Sequence, residues 1–252
     1  MKVVLNGRDP NKLERTKLEM QEKGFDVVSV IADVRFAPQC QRLIEEAVNK
    51  YGQIDVVVNN AAVSSRGSVE EMEVSNIQVL MDTNYTGCVY ISKYAIPYLD
   101  KTNGNLIFIN SVAAYLGMPY NTSYSASKMA QTSLAEGLRM ELLDSGIHVG
   151  IAYIGFTEND PFKTILDVDG SWIYLPKRNN ITLDTREHVA TRVFDLICSR
   201  KRSITLTSLG HFTNFVAHHL RGFAFWLVKI NLTRIKRDFT YNGEREVIER
   251  PY

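Results

Sequence analysis

A chain of 252 residues, 45% hydrophobic and 23% charged, has the length and composition of one α/β domain with a sizeable core. A formal net charge of +1 lacks the basic excess that phosphate backbones demand, so no nucleic-acid partner is expected. Cys40, Cys88 and Cys198 are odd in number and far apart; neither a disulfide framework nor a metal spacing follows, and a reducing, cytoplasmic setting is expected.

Strand and helix signals alternate along the chain. Val3-Val4-Leu5 is a short apolar strand ending at Asn6-Gly7. A helix follows, with Asp9 placed to cap it, Pro10 in its first turn and Gly24 closing it. Phe25 to Ile31 is the next strand, and a helix from about Pro38 to Lys50 carries Leu43, Ile44, Ala47 and Val48 on one face before Gly52 stops it. Ile54 to Val58 reads as a buried strand, Ser75 to Leu99 as a long helix, and Leu106 to Ile109 as a strand. A helix over Ser123 to Asp144, a strand over Ile147 to Tyr153, a helix over Arg186 to Cys198 and a strand over Ile204 to Thr207 complete the alternation. Continuous Val/Ile runs separated by helices predict a parallel sheet covered on both faces. Chemistry is then expected just beyond the C-terminal ends of the strands. The MKVVLNGRDP start is too short an apolar stretch for a signal peptide, and no run approaches the ~20 apolar residues of a membrane-spanning helix.

The segment Tyr124-Ser125-Ala126-Ser127-Lys128 opens a helix, and a spacing of four sets the Tyr and Lys side chains on one face. A phenol with a pKa near ~10 is a poor acid at neutral pH, but an adjacent cation favours the phenolate, so the pair can exchange a proton with an alcohol or carbonyl. Alone, such a pair is a common helical pattern. Its surroundings are more specific: Ser111 lies thirteen residues earlier beyond a strand, Asn84 another twenty-seven residues before that, and Asn59-Asn60-Ala61 ends the strand Ile54–Val58.

In identity and spacing these residues resemble the short-chain dehydrogenase/reductase family, from Val3 to about Thr207. The resemblance implies a Rossmann-like, doubly wound parallel sheet in three α/β/α layers, with a catalytic domain over residues 1–210 and a tail over 211–252 packed on it. It also implies roles. Tyr124 would protonate the carbonyl oxygen as hydride arrives from a nicotinamide, and Lys128 would lower its pKa and bond the nicotinamide ribose. Ser111 would hold the substrate oxygen, and Asn84 would anchor a water that relays protons to Lys128. Asp33 and Val34 match the adenine-contacting pair, Asn59 and Ala61 the cofactor contacts beyond the third strand, and Gly155 and Thr157 those near the nicotinamide. Gly7 stands where an acidic residue would favour NAD, and Arg8 follows it. A guanidinium suits a 2′-phosphate, so NADP(H) is the expected cofactor. The implied substrate is a small carbonyl compound or its alcohol, and the two long helices imply a homodimer or homotetramer.

Two departures accompany the resemblance. No GxxxGxG occurs in the chain, and Val3–Leu5 already matches the family's second strand. The glycine turn and the central strand before it are therefore expected to lie in roughly thirty further residues, the opening of one βαβ unit. Without them two strand edges face a gap, and the 252 residues alone are expected to be a poor enzyme, with a silent scaffold or interaction protein as the alternative. The second departure is Ile154 before Gly155, where proline is usual.

Beyond Gly155 the chain carries Phe156, Pro161, Phe162, Ile165, Leu166, Trp172, Ile173 and Tyr174. So apolar a segment suits a hydrophobic substrate such as a lipid, steroid or acyl compound, with Phe156 and Phe162 among its contacts, and suits equally a cover for the core. From His211 to Phe239 an aromatic run, Phe223 to Val228, is flanked by Arg221, Lys229, Arg234, Lys236 and Arg237. That pattern fits a helix at a membrane interface, and fits a helix packed on the domain or a partner subunit; the packed reading is the expected one, because apolar helical faces are usually covered.

Overall fold

The computed structural model describes residues 1–158, 163–175 and 183–240, together with the backbone of Val247–Ile248. Strand β1 (Lys2–Gly7) leads through helix α1 (Pro10–Glu22) to β2 (Asp26–Ile31). Asp9 caps α1 as its sequence suggests, its carboxylate accepting from the Asn11 and Lys12 amides at 2.9 and 3.0 Å. Helix α2 (Ala37–Tyr51) ends at Gly52, whose φ of 83° is the left-handed cap that glycine adopts without strain. Then come β3 (Val56–Asn59), α3 (Val74–Met81), α4 (Gly87–Thr102), β4 (Asn105–Ser111), α5 (Thr122–Glu141), β5 (His148–Ile154), β6 (Thr164–Leu166), β7 (Trp172–Tyr174), α6 (Arg186–Ser199) and β8 (Ser203–Thr205). Three helices follow, α7 (Ser208–His219), α8 (Arg221–Ile230) and α9 (Leu232–Phe239), and then β9 (Val247–Ile248).

Helices flank a parallel sheet, as the Val/Ile runs require. Strands β3, β4, β5 and β8 pair in parallel in that order, with Asn105 to Ser111 of β4 in register with His148 to Ile154 of β5. Leu106 and Phe108 pack into a buried cluster with Ala95 and Leu99 of α4 and Ala135 of α5. Ile107, on the opposite face, packs with Ala152 and Leu196 of α6. Alternate residues of β4 thus serve two helical layers, the three-layer arrangement of a doubly wound fold.

β1 and β2 form a separate two-stranded parallel sheet. Val4 of β1 and Val57 of β3 pack against the same two buried clusters, so a common helical layer runs behind both sheets. Among the described residues no ladder joins β1 to β3. Here the expectation of a buried strand at Ile54–Val58 is corrected: Ile54 precedes the strand, and Val56 and Val58 are 39% and 43% exposed. The reason is one of layers. Val57 faces the helices, whereas its alternating neighbours face a side of the sheet with less cover.

Two other boundaries differ. The long helix expected over Ser75–Leu99 is two helices joined by a π turn, Asp82–Thr86, which contains Asn84. The strand expected over Ile204–Thr207 stops at Thr205, and Thr207 becomes the cap of α7, its hydroxyl accepting from the Gly210 amide at 3.1 Å.

Candidate active site

Three elements build the site. β4 carries Ser111 as its last residue, in register with Ile154 at the end of β5, which brings Ser111 beside the strand that runs into Gly155. Asn110 ties β4 to α5, its side-chain amide donating to the Lys128 carbonyl at 3.0 Å and to Thr132 Oγ1 at 2.9 Å. The Ser111 hydroxyl accepts from the Ala113 amide at 3.2 Å, which starts the short turn Val112–Ala114.

Lys128 lies on α5 one turn beyond Tyr124 and is buried. Its Nζ donates to the Ile109 carbonyl at 2.9 Å and to Gln131 Oε1 at 3.3 Å. Burial disfavours the ammonium and pulls its pKa down to about 8, the charge of Lys163 adding to that effect. Tyr124 is half-buried against the cluster of Val63, Met72, Leu80 and Leu166. The four sequence-marked residues therefore fall on three neighbouring elements: the tip of β4, the first turns of α5 and the π turn.

Asn84 is fully buried and committed to protein partners. Its Oδ1 accepts from the Val63 amide at 2.8 Å, and its Nδ2 donates to the Val63 carbonyl and to Ser127 Oγ, each at 2.9 Å. Ser127 Oγ in turn donates to the Tyr124 carbonyl at 2.7 Å. Asn84 thus fastens the segment after β3 to the start of α5, and it touches Lys128's neighbour rather than Lys128. Gln131, which sequence reasoning passed over, joins the two: it accepts from Lys128 and donates to the Asn84 carbonyl at 3.4 Å and to Cys88 Sγ at 3.1 Å. Its position three residues after Lys128 was the available signal, since such residues share a helix face. Burial pushes the Cys88 thiol up, so it remains protonated beside Gln131.

At the far side, Arg8 and Arg35 converge on one carboxylate. Arg35 grips Asp33 with Nε at 3.1 and 2.9 Å and Nη2 at 2.7 Å, and Arg8 Nη1 stands 3.7 Å from the same group. Burial alone would raise the Asp33 pKa; the Arg35 hydrogen bonds and the charges of Arg35 and Arg8 outweigh it and leave the carboxyl below its ordinary value. Arg35 was also missed, though it stands two residues from Asp33. Val34 turns into the core, where its side chain touches the position a Cβ on Gly87 would occupy. Asn59 at the tip of β3 is buried, with no partner for Nδ2 among the described residues, while Ala61 is exposed. Gly155 runs close under Thr207, where a Cβ would come within 2.6 Å of the hydroxyl, and Thr157 Oγ1 lies 3.4 Å from the Gly155 carbonyl.

Of the apolar segment, Ile165, Leu166 and Ile173 are buried and cover the core, whereas Phe156, Trp172 and Tyr174 stay partly exposed. Phe162 and Pro161 lie outside the described residues. The tail is both packed and open: Val216, Ala217 and Ala224 close on Leu116 in the turn after Ser111, and their outward neighbours face solvent.

Known proteins resemble this chain in sequence and in fold. The chain is 40% identical over 141 residues to 11-beta-hydroxysteroid dehydrogenase A of Arachis hypogaea, covering 55% of this chain and 40% of that one. It is 34% identical over 166 residues to 3-ketodihydrosphingosine reductase of Bos taurus, covering 64% of this chain and 50% of that one. It therefore spans about half the length of these curated relatives. Among solved structures, a short chain dehydrogenase/reductase from Burkholderia phymatum in complex with NAD superposes with a TM-score of 0.71 at 21% identity, over 97% of this chain and 89% of that one, a likeness of fold. The sequence profile of the short chain dehydrogenases matches residues 1–167, and the chain belongs to that family.

Proposed function

We propose that this chain carries the active site of an NADP(H)-linked oxidoreductase that reduces a carbonyl, or oxidises the corresponding alcohol, on a hydrophobic substrate. The observation that carries the reading is the buried Lys128 ammonium, held by the Ile109 carbonyl two residues before Ser111 and one turn from Tyr124. A buried cation is expensive unless it is paired and hydrogen-bonded, and so strongly perturbed a group marks a candidate functional site. Here it would favour the Tyr124 phenolate and so make the phenol a usable acid at neutral pH. Tyr124 would deliver its proton to the substrate oxygen in reduction and recover one in oxidation, and Ser111 would hold that oxygen by a hydrogen bond. Asn84 and Ser127 would fix the start of α5, and with it the Tyr124 backbone. When bound, the nicotinamide supplies or accepts the hydride at the carbon, which balances the two electrons of the reaction.

The residues present fit the cofactor at two places. Asn59 Nδ2, buried at the tip of β3 and without a partner among the described residues, is a donor suited to an acceptor on the cofactor. Arg8 and Arg35 gather at Asp33, with the Asp82 carboxylate also acting on Arg35, and two guanidinium groups brought together there suit a 2′-phosphate, which supports NADP(H) over NAD(H). Gly155 and Thr157 would meet the nicotinamide end. A second reading, a non-catalytic interaction protein, would use the edges of β1 and β3, between which no ladder runs among the described residues. Support for the substrate class comes from Trp172, which packs with Tyr124 against one buried cluster, and from relatives named for a steroid and a sphingoid ketone. A homodimer or homotetramer would use the outer faces of α4 and α5, where Gly137 lies open.

Titration of the chain with NADPH, followed by nicotinamide fluorescence, separates the readings. Binding that NADP competes for better than NAD, with Tyr124→Phe lowering turnover by about 10²–10⁴-fold, is the expected result. No binding by the folded chain, or turnover unchanged in Tyr124→Phe, would overturn it.

A further inference from the structure

We infer that the outer face of α7, α8 and α9 is a docking surface for an anionic lipid bilayer. The inner face of α7 and α8 is satisfied, with Val216, Ala217 and Ala224 closed on Leu116. The outer face is not: Phe212, Phe215, Phe223, Phe225, Trp226 and Ile230 are exposed, Phe225 and Trp226 each to 52%. Phe223 and Trp226 stack on each other, with ring centroids 5.5 Å apart, rather than on the domain. A cluster of this kind goes well beyond the scattered surface apolars of ordinary proteins and marks a contact site.

Charge selects the occupant. Residues 208–240 hold five Lys and Arg against one Asp, while the remainder of the chain holds 24 Lys and Arg against 27 Asp and Glu. Arg221, Lys229, Arg234, Lys236 and Arg237 are all exposed, and among the described residues Asp238 pairs with Arg234 and Arg237, at 3.8 and 3.6 Å. A two-fold contact with a second copy would set this positive patch against itself, because an isologous interface repeats one surface. An anionic bilayer meets both halves of the pattern: aromatic rings settle at the headgroup level, and each Lys or Arg gains from the surface potential. The aromatic and cationic groups are interleaved, Arg221 lying over the Phe225 ring at 5.8 Å, so one plane can take both.

The patch is also fixed relative to the candidate site. Lys236 of α9 stands over the Tyr120 ring at 5.9 Å, His218 of α7 packs edge-on to Tyr115, and Leu116 lies under α7 and α8. All three contacts fall in the segment between Ser111 and Tyr124, so a bilayer on the outer face would lie one helix layer from it.

Flotation of the full chain with vesicles tests the docking without any turnover, so its outcome is independent of the oxidoreductase reading. Partition into vesicles of phosphatidylcholine with phosphatidylserine should exceed that into phosphatidylcholine alone by about tenfold, and high salt should remove most of the difference. Lys236→Glu with Arg237→Glu, and separately Phe225→Ser with Trp226→Ser, should each lower partition by about tenfold, both pairs being exposed and so sparing the fold. Equal or absent partition into the two vesicle types would overturn the inference. So would aromatic variants that leave vesicle binding intact and instead shift sedimentation velocity to a smaller species, which would assign the patch to contacts between copies.

Discussion

The β3–β4–β5–β8 sheet and the β1–β2 pair stand side by side on shared helices yet hold their polar groups in opposite ways. In the first, the charged group sits inside: Lys128 is buried beneath β4, with its donors met by Ile109 and Gln131. In the second, the charges sit at the rim, where Arg8 and Arg35 share Asp33 at the strand tips. The boundary between the two is β3, with Phe108 of its neighbour wholly buried and Val58 of its own half open. A buried ion shifts its pKa to relieve desolvation; a rim cluster keeps its charges and draws on water for part of its solvation. On the proposed function, the half that would handle the proton is the one with its charged group buried, and the half that would take a phosphate is the one with its charges at the rim.

The largest effect should come from packing. Phe108→Ala removes a side chain enclosed by α4 and α5 and should cost about 3–5 kcal/mol in urea unfolding, whereas Val58→Ala should cost under about 1 kcal/mol. Comparable losses for the two would break the comparison, because Val58 would then have a cover in solution. The next effect separates the halves by pH. The ordinary lysine pKa is 10.5 and that of Lys128 about 8, so between those values the unfolded chain holds a proton that the folded chain has released. Stability attributable to Lys128 therefore rises with pH across that window, by up to about 3 kcal/mol. Relative to Lys128→Met, the wild-type chain should gain stability from pH 8 to 10.5 in chemical denaturation; a flat difference would mean that the ammonium is hydrated.

Much of this was legible in the sequence, for identifiable reasons. Val/Ile runs and helix caps act over a few residues, so β2, β4, β5 and the Asp9 and Gly52 caps sit where the pattern puts them. The Tyr124–Lys128 spacing and Ser111 at a strand tip were equally local. The π turn at Asp82–Thr86 was not, since it depends on Asn84 reaching Val63 and Ser127 on other elements. The exposure of Val56 and Val58 was hidden for a similar reason: a β-branched run reads as buried whatever lies across from it. Arg35 and Gln131 had detectable spacings, but their value depends on Asp33 and Lys128 being already fixed in space.

The smallest predicted effect tests the rim. Asp33 accepts from Arg35 and lies near Arg8, and those interactions hold its carboxyl below the ordinary 3.8 against the opposing pull of burial. A depressed carboxylate lends stability above its unfolded-state pKa and withdraws it as pH falls through the folded-state value. Asp33→Asn should thus lower stability near neutrality by about 1 kcal/mol, the scale of a hydrogen bond to a charged partner with some of its geometry kept. The difference from wild type should shrink below about pH 4, where the wild-type carboxyl is itself becoming neutral. The same substitution frees both guanidinium groups, so binding of inorganic phosphate at neutral pH should strengthen while stability falls. Opposite signs in the two measurements are what a rim cluster demands, because a carboxylate shared by two arginines competes with any anion they could hold. Losses in both would instead make Asp33 the element that positions Arg8 and Arg35, and the accessible half would then be ordered as tightly as the buried one.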